Sequence, residues 1–402
     1  MKVLQLCHKM PYPPVDGGAQ VMHFTSIGLF EKKVDIEILA INPTRQFIDI
    51  NKLPAEYIEN FKLQSVTVDT RLKLIPLLCN LFKSESYFTE RFTSAEFNDV
   101  LIRTLKSKNF DIIQLEHIYL CKYIRTIRQY STAKIILRPQ NIEYVIWERY
   151  NSGVKNPFKK LFLKTNINRL KKFEIDSAKM VDGILALTKD DEDIFKSLAP
   201  TIKTTIIPMG YDYNRIKSYD YKEQYKYPIS AYHLGSMDWR PNEEAVRWFV
   251  QKVAPVLSKH QFKGTIHLAG THMPDWVYSC NYSFIKVSGQ ISNSLEFQKD
   301  KQIMIVPLLS GSGIRAKIIE GLALGKTIIS TTIGAQGINY TNEKDLFIAD
   351  SPEEFAAKIM SLTESPSICR ITGENARKLS ESHYNHEIIS RSMINFYTAC
   401  LE

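Results

Sequence analysis

The sequence predicts an α/β protein built from two Rossmann-like domains, each a parallel sheet covered by helices on both faces. Two observations predict it. Short Ile/Val/Leu-rich runs alternate with stretches of helical period along the whole chain, the pattern of parallel strands buried on both sides. That alternation halts once, in a polar, Tyr-rich stretch at 211–228, and then restarts. A chain of 402 residues also exceeds one ordinary α/β core.

Taken in order, the first series of strands falls at 3–7, 36–41, 65–68, 111–115, 134–137, 183–187 and 204–207. The second falls at 230–234, 265–269, 284–287, 302–306, 327–330 and 346–348. Helical period separates most of them, as at 94–106, 243–257 and 314–324. The stretch 211–228 has no apolar period and reads as a linker. The expected division is an N-terminal domain at 1–210, the linker, and a C-terminal domain at 229–384. In open parallel sheets, ligands bind beyond the carboxyl ends of the strands, so the loops that follow strands are where chemistry is to be sought.

Composition narrows the class. Apolar residues at 44% and charged residues at 24% suit a soluble globular protein. No run approaches the roughly 20 apolar residues of a membrane span, and the first residues enter a strand rather than a signal sequence. Cys7, Cys79, Cys121, Cys280, Cys369 and Cys400 are scattered, with no Cys-x-x-Cys pair. Neither a zinc site nor a disulfide framework is expected, and a reducing cytoplasm is.

The net charge of +9 is uneven: residues 1–200 hold 30 Lys/Arg against 23 Asp/Glu, and the rest hold 22 against 20. The excess concentrates at 155–172, where Lys155, Lys159, Lys160, Lys164, Arg169, Lys171 and Lys172 occur without an acid. Apolar side chains, among them Phe158 and Leu161, are interleaved. Two readings stay open: contact with an anionic membrane at the inner face, or the solvated face of a helix packed on its own core. No nucleic-acid motif is present, so nucleic acid is not an expected partner.

The densest motif is 307–326, PLLSGSGIRAKIIEGLALGK. A strand ends at Pro307, a small-residue loop runs from Ser310 to Gly313, and a helix follows. Glycines let backbone N–H groups approach an anion, and a helix N-terminus adds positive potential. Arg315 and Lys317 place formal cations where the helix dipole alone disfavours them, which makes sense if a diphosphate docks there. Glu320 lies about 60° around the helix from Lys317 and could accept hydrogen bonds from a ribose diol; a plain turn with a solvated Glu320 is the competing reading. Gly325 is placed to end the helix at C′.

At this point the sequence resembles glycosyltransferase family 4, a retaining family with the GT-B fold, in a branch with a Ser/Gly-rich donor loop. Segment 307–326 resembles its donor-binding element, and 234–245 (LGSMDWRPNEEA) its first C-domain loop. Segment 13–18 (PPVDGG) resembles its glycine loop, 115–117 (LEH) and 138–143 (RPQNIE) its inner-cleft segments, and 207–212 (IPMGYD) its interdomain turn. Two positions depart from the family. Ser312 stands where members often carry the first of two glutamates, and Ser236 where a phosphate-binding arginine is usual, with Arg240 a partial replacement for the lysine.

The resemblance implies two sheets facing a central cleft, with the last helix, about 385–402, packing back on the first domain. It implies a nucleotide-sugar donor held by Gly235, Ser236, Arg240, Gly270, Ser288, Gly289, Gly311, Ser312, Gly313, Ile314, Arg315, Lys317 and Glu320, with Gly17 and Gly18 across the cleft. His117, Asp16 and Glu320 are the candidate catalytic residues, and Arg138, Asn141 and Glu143 the acceptor-side set. Asp16 also fits a helix cap, and His117 a structural histidine.

The activity implied is transfer of a hexose-type sugar to a glycan or lipid-linked acceptor in bacterial surface polysaccharide synthesis. No Asp-x-Asp motif appears, and the leaving diphosphate is expected to be neutralised by protein cations without a metal or other cofactor. Two alternatives remain at this stage: a GT-B epimerase of nucleotide-sugars, and an inactive nucleotide-sugar sensor.

Overall fold

The computed structural model describes residues 1–71, 73, 80, 83–311 and 313–402. It divides into two compact units, Met1–Gly210 with His386–Glu402, and Tyr211–Asn385.

The first unit is a seven-stranded parallel sheet in the order β3-β2-β1-β4-β5-β6-β7. Its strands are β1 (Lys2–Cys7), β2 (Asp35–Pro43), β3 (Gln64–Val68), β4 (Ile112–Glu116), β5 (Lys134–Arg138), β6 (Gly183–Ala186) and β7 (Lys203–Ile206). The central strands are buried throughout because helices cover both faces; every residue of β4 is buried. One face packs on helices that include Ala95–Ser107, whose N-terminus Ser94 caps through the amide of Phe97. The other face packs on Gly17–Glu31 and on the final helix, His386–Leu401.

That final helix is bound closely to the first unit. It buries Ile389, Met393, Tyr397 and Cys400, and the Tyr397 hydroxyl donates to Gln114 on β4. His386 Nε2 lies 2.6 Å from Glu31 Oε2. A Cβ on Gly28 would meet Ser390 Oγ at 2.0 Å, so glycine is what lets the two helices approach.

The second unit repeats the topology in six parallel strands, β10-β9-β8-β11-β12-β13. These are β8 (Ser230–Leu234), β9 (Thr265–Ala269), β10 (Ile285–Gly289), β11 (Ile303–Val306), β12 (Thr327–Ser330) and β13 (Phe347–Ile348). Each strand expected from the sequence is present, within about a residue at most ends. The helix expected at 243–257 is longer, running from Arg240 to Lys259 with a π-helical stretch at Phe249–Val253. Pro255 has no N–H for the regular ladder, and the wider turn just before it absorbs the loss.

Residues 211–228, read from sequence as a linker, group with the second unit. They hold to it by single side chains rather than by an apolar period. Tyr211, Ile216 and Gln224 are buried. The fully buried Lys326 ammonium donates to Tyr219 Oη (2.9 Å) and Gln224 Oε1 (2.8 Å), and also to the carbonyls of Gln298 and Lys301.

Candidate active site

Each sheet reverses its strand order once, between β1 and β4 in the first unit and between β8 and β11 in the second. The loops after those strands diverge there and leave a crevice, the usual ligand position in such sheets. Most of the residues singled out from the sequence sit at one of these two points.

In the second unit, three glycines make the crevice floor. A Cβ on Gly270, whose φ is +152°, would stand 1.7 Å from the Gly235 carbonyl oxygen. Gly270 N–H donates to the Gly289 carbonyl at 2.8 Å. The ends of β8, β9 and β10 therefore lie in close backbone contact, with Ser288 exposed beside them. Above Gly235 sits the Lys317 ammonium: a Cβ there would come within 2.8 Å of its Nζ.

Asn242 fixes that ammonium. Its Oδ1 accepts from Lys317 Nζ at 2.7 Å, while its Nδ2 donates to the Ser236 carbonyl at 2.8 Å. Burial, with the nearby Arg315 guanidinium, pushes the Lys317 ammonium down to about 7. An anion at this point would reverse that shift.

The loop after β11 differs in one respect from the sequence reading. The helix begins at Ala316, and Arg315 occupies its N-cap in extended geometry rather than the first turn. Arg315 is buried, donates to the Gly313 carbonyl at 2.9 Å, and lies 5.9 Å from the Trp239 ring. Gly311 and Gly313 take φ of +117° and +73°, conformations that glycine adopts without strain. Ile314 is half-buried between them and the helix. Ser312 lies outside the described residues.

Ser310 Oγ donates to Glu244 Oε2 at 2.7 Å, and the exposed Arg240 pairs with Glu244 Oε1 at 2.7 Å. Glu244 thus ties the two loops together at the rim. The Ser236 hydroxyl bonds to Asp238 and Thr271. Glu320, one turn below Lys317, points to different partners: its Oε1 accepts from Gln298 Nε2 at 3.3 Å, and burial pushes its carboxyl up. The helix ends as expected, with the amides of Gly325 and Lys326 donating to the carbonyls of Leu322 and Gly321 in a Schellman motif.

In the first unit, His117 follows β4 and holds a φ of +132°, a costly backbone for a non-glycine residue. Its Nε2 lies 3.3 Å from Glu143 Oε1, and Glu143 Oε2 accepts from the Tyr119 hydroxyl at 2.6 Å. The His8 ring, after β1, stands 4.3 Å from that of His117. Burial, His117 and Lys9 lower the His8 imidazole well below its ordinary value, so it is neutral near pH 7. Glu143 is buried against His117 rather than open to an acceptor. Burial raises its carboxyl, but the contacts from His117 and Tyr119 outweigh that and hold it low.

Asp16 takes the capping role. It accepts from the Ala19 amide at 2.9 Å and pairs with Lys9 Nζ at 2.5 Å. Gly17 is exposed and Gly18 half-buried; a Cβ on Gly18 would meet Gln140 Oε1 at 2.9 Å. Asn141 is half-buried in the turn after β5.

Arg138 is a correction. It is fully buried, bonded to Thr25 and the Pro208 carbonyl (3.2 Å), with Glu116 at 3.9 Å. It cannot line an acceptor crevice because its guanidinium points into the core beneath β5. Glu116, Asn242 and Glu244 lie inside the motifs at 115–117 and 234–245, but sequence reading assigned no role to any of them. Glu116 is fully buried under hydrogen bonds from Gln5 (2.8 Å) and Gln114. Asn242 carried one signal that was not used: it is an amide one position after the Pro241 that opens a helix beside the glycine loop.

Residues 229–365 match the family described as Glycosyl transferases group 1. A Klebsiella pneumoniae protein described as an uncharacterized 44.6 kDa protein in the cps region is 21% identical over 336 residues. That match spans 76% of this chain and 83% of the relative. Among solved structures, Anabaena Alr3699/HepE in complex with UDP aligns with a TM-score of 0.67 at 12% identity, over 99% of this chain and 100% of its own. Sucrose-phosphate synthase from Thermosynechococcus elongatus aligns with a TM-score of 0.66 at 15% identity, over 99% of both chains. The chain therefore has the two-domain GT-B fold, and its second unit carries the sequence match to glycosyl transferases group 1.

Proposed function

We propose that the protein is a glycosyltransferase that moves a hexose-type sugar from a nucleotide-sugar to a glycan or lipid-linked acceptor at the cytoplasmic face of a membrane, with retention of configuration. The observation that carries the reading is the Lys317 ammonium, held by Asn242 over the Gly235–Gly270 floor, in a helix capped by Arg315, whose guanidinium packs against Gly311. A cation fixed in a half-buried crevice, next to backbone that can approach closely, suits a diphosphate. Arg315 and Lys317 supply charge for the departing diphosphate without a divalent ion. Glu320 is assigned to the ribose, and Ser288 and Gly289 to the base pocket.

His117, held by Glu143, is assigned to the sugar being transferred; Asp16 and Asn141 remain its companions on the acceptor side. Retention and the sugar class rest on the family resemblance. The HepE structure contains UDP, which supports a uridine nucleotide as the first donor to test. The cps region of the Klebsiella relative supports a role in surface polysaccharide synthesis.

The test is a thermal-shift screen with UDP, GDP and ADP, in the presence of EDTA, followed by sugar transfer. One of the three should stabilise the wild type, and Lys317→Ala should weaken its binding about 10- to 100-fold, as expected for a lost charged hydrogen bond. Wild-type affinity in a folded Lys317→Ala variant would refute the assignment.

A further inference from the structure

The helix Pro157–Ala178 buries Leu163, Asn166, Ile167 and Leu170, which define its inner side. Its first two turns present something unusual on the other side. Phe158 is 83% exposed and Leu161 66%, the two largest exposures among the described large apolar residues outside the loop residue Val15. They stand one turn apart, at i and i+3, and so share an outward face. Isolated exposed apolar residues are ordinary, but a Phe–Leu pair on one helical face is not.

Cations surround the pair. Lys155, Lys159, Lys160 and Lys164 are all exposed. Among the described residues, no carboxylate lies within ion-pair distance of any of the four. Lys159 instead reaches Tyr150, with Nζ 3.3 Å from its hydroxyl and 5.7 Å from the ring centre; Tyr150 is itself 41% exposed. Further along the same outward side, Lys172 is exposed too. A solvated face would explain the lysines but not Phe158 and Leu161, which gain nothing from water.

We infer that this end of the helix docks on an anionic phospholipid bilayer, with Phe158 and Leu161 entering the interface and Lys155, Lys159, Lys160 and Lys164 meeting the headgroups. Apolar insertion and charge attraction are the two signals that stable peripheral binding needs, and this face has both. Tyr150 adds an amphipathic ring suited to headgroup depth. The inference gives the lipid-borne acceptor of the proposed function a place to be met, but the docking itself stands on the exposed face alone.

The test is co-sedimentation of the full chain with vesicles of phosphatidylcholine, with and without phosphatidylglycerol, at low and high salt. Binding is expected only to the anionic vesicles, and to weaken with salt. Phe158→Ser with Leu161→Ser should lower it at least tenfold. Lys160→Glu with Lys164→Glu should lower it by about fivefold or more per lysine. Nucleotide stabilisation, measured in parallel, should be unchanged in both variants, which separates this inference from the transferase reading.

Equal binding by wild type and both variants, no binding to anionic vesicles, or equal binding to neutral ones would each overturn the proposal. So would a dimer in solution that disappears in Phe158→Ser with Leu161→Ser, because a second copy would then be the occupant of the face.

Discussion

Lys317 is the residue on which the proposed donor site turns, and its titration gives the sharpest prediction. In the free protein, burial and Arg315 push its ammonium down to about 7. A bound diphosphate favours the charged form and raises that value. Well below pH 7 the lysine is charged in both free and bound states and contributes no slope of its own. As pH rises past 7, the free protein loses the proton that the complex keeps, and nucleotide affinity should fall until the bound lysine also titrates. Calorimetric titration of nucleoside diphosphate between pH 6 and 9 measures this. Lys317→Ala should bind weakly with no such slope; an identical slope in that variant would move the titration to another group. Burial pushes the Glu320 carboxyl up as well, so Glu320→Gln is the control that should leave this slope in place.

Elements place that lysine, through glycines at strand ends. Gly270 combines a φ of +152° with a gap to the Gly235 carbonyl that admits no Cβ. Gly270→Ala should destabilise the second unit by about 2 to 4 kcal/mol, since both strain and overlap oppose it. Gly153 is the control: its φ is negative and its nearest neighbour to a built Cβ is 3.8 Å away, so Gly153→Ala should change stability by less than about 1 kcal/mol. Urea unfolding reads both; a neutral Gly270→Ala would mean the crevice floor is looser than drawn. These elements were legible in the sequence because parallel strands buried on both faces read as continuous apolar runs, IMIV at 303–306 being one. The site was legible only in part. Glycine loops and cations after strands announce themselves, but direction does not. Arg138 and His117 both lie at strand ends and both are buried, and only the packing decides that the first bonds to the Pro208 carbonyl while the second sits against Glu143. Asn242 had only its place after Pro241 to mark it, because its value lies in bonds to Lys317, 75 positions on, and to the Ser236 carbonyl.

At the scale of the molecule, three apolar clusters of described residues each lie within a single unit. One cluster on each face of the first sheet draws only on residues of the first unit, the final helix included; the main cluster of the second unit lies within 231–369. Cores that are separate should melt separately. Tyr397, fully buried and bonded to Gln114, belongs to the first unit although it lies near the end of the chain. Tyr397→Ala removes a large buried side chain and should cost about 3 to 5 kcal/mol. It should lower one calorimetric transition and leave the other in place. If the proposed donor site in the second unit holds it, nucleoside diphosphate at a hundred times its Kd should stabilise the second transition by about 2.7 kcal/mol. The two perturbations should therefore act on different peaks. A single transition moved by both would show that the units fold as one cooperative body, and a fall of the nucleotide-sensitive peak in Tyr397→Ala would place the donor site in the first unit.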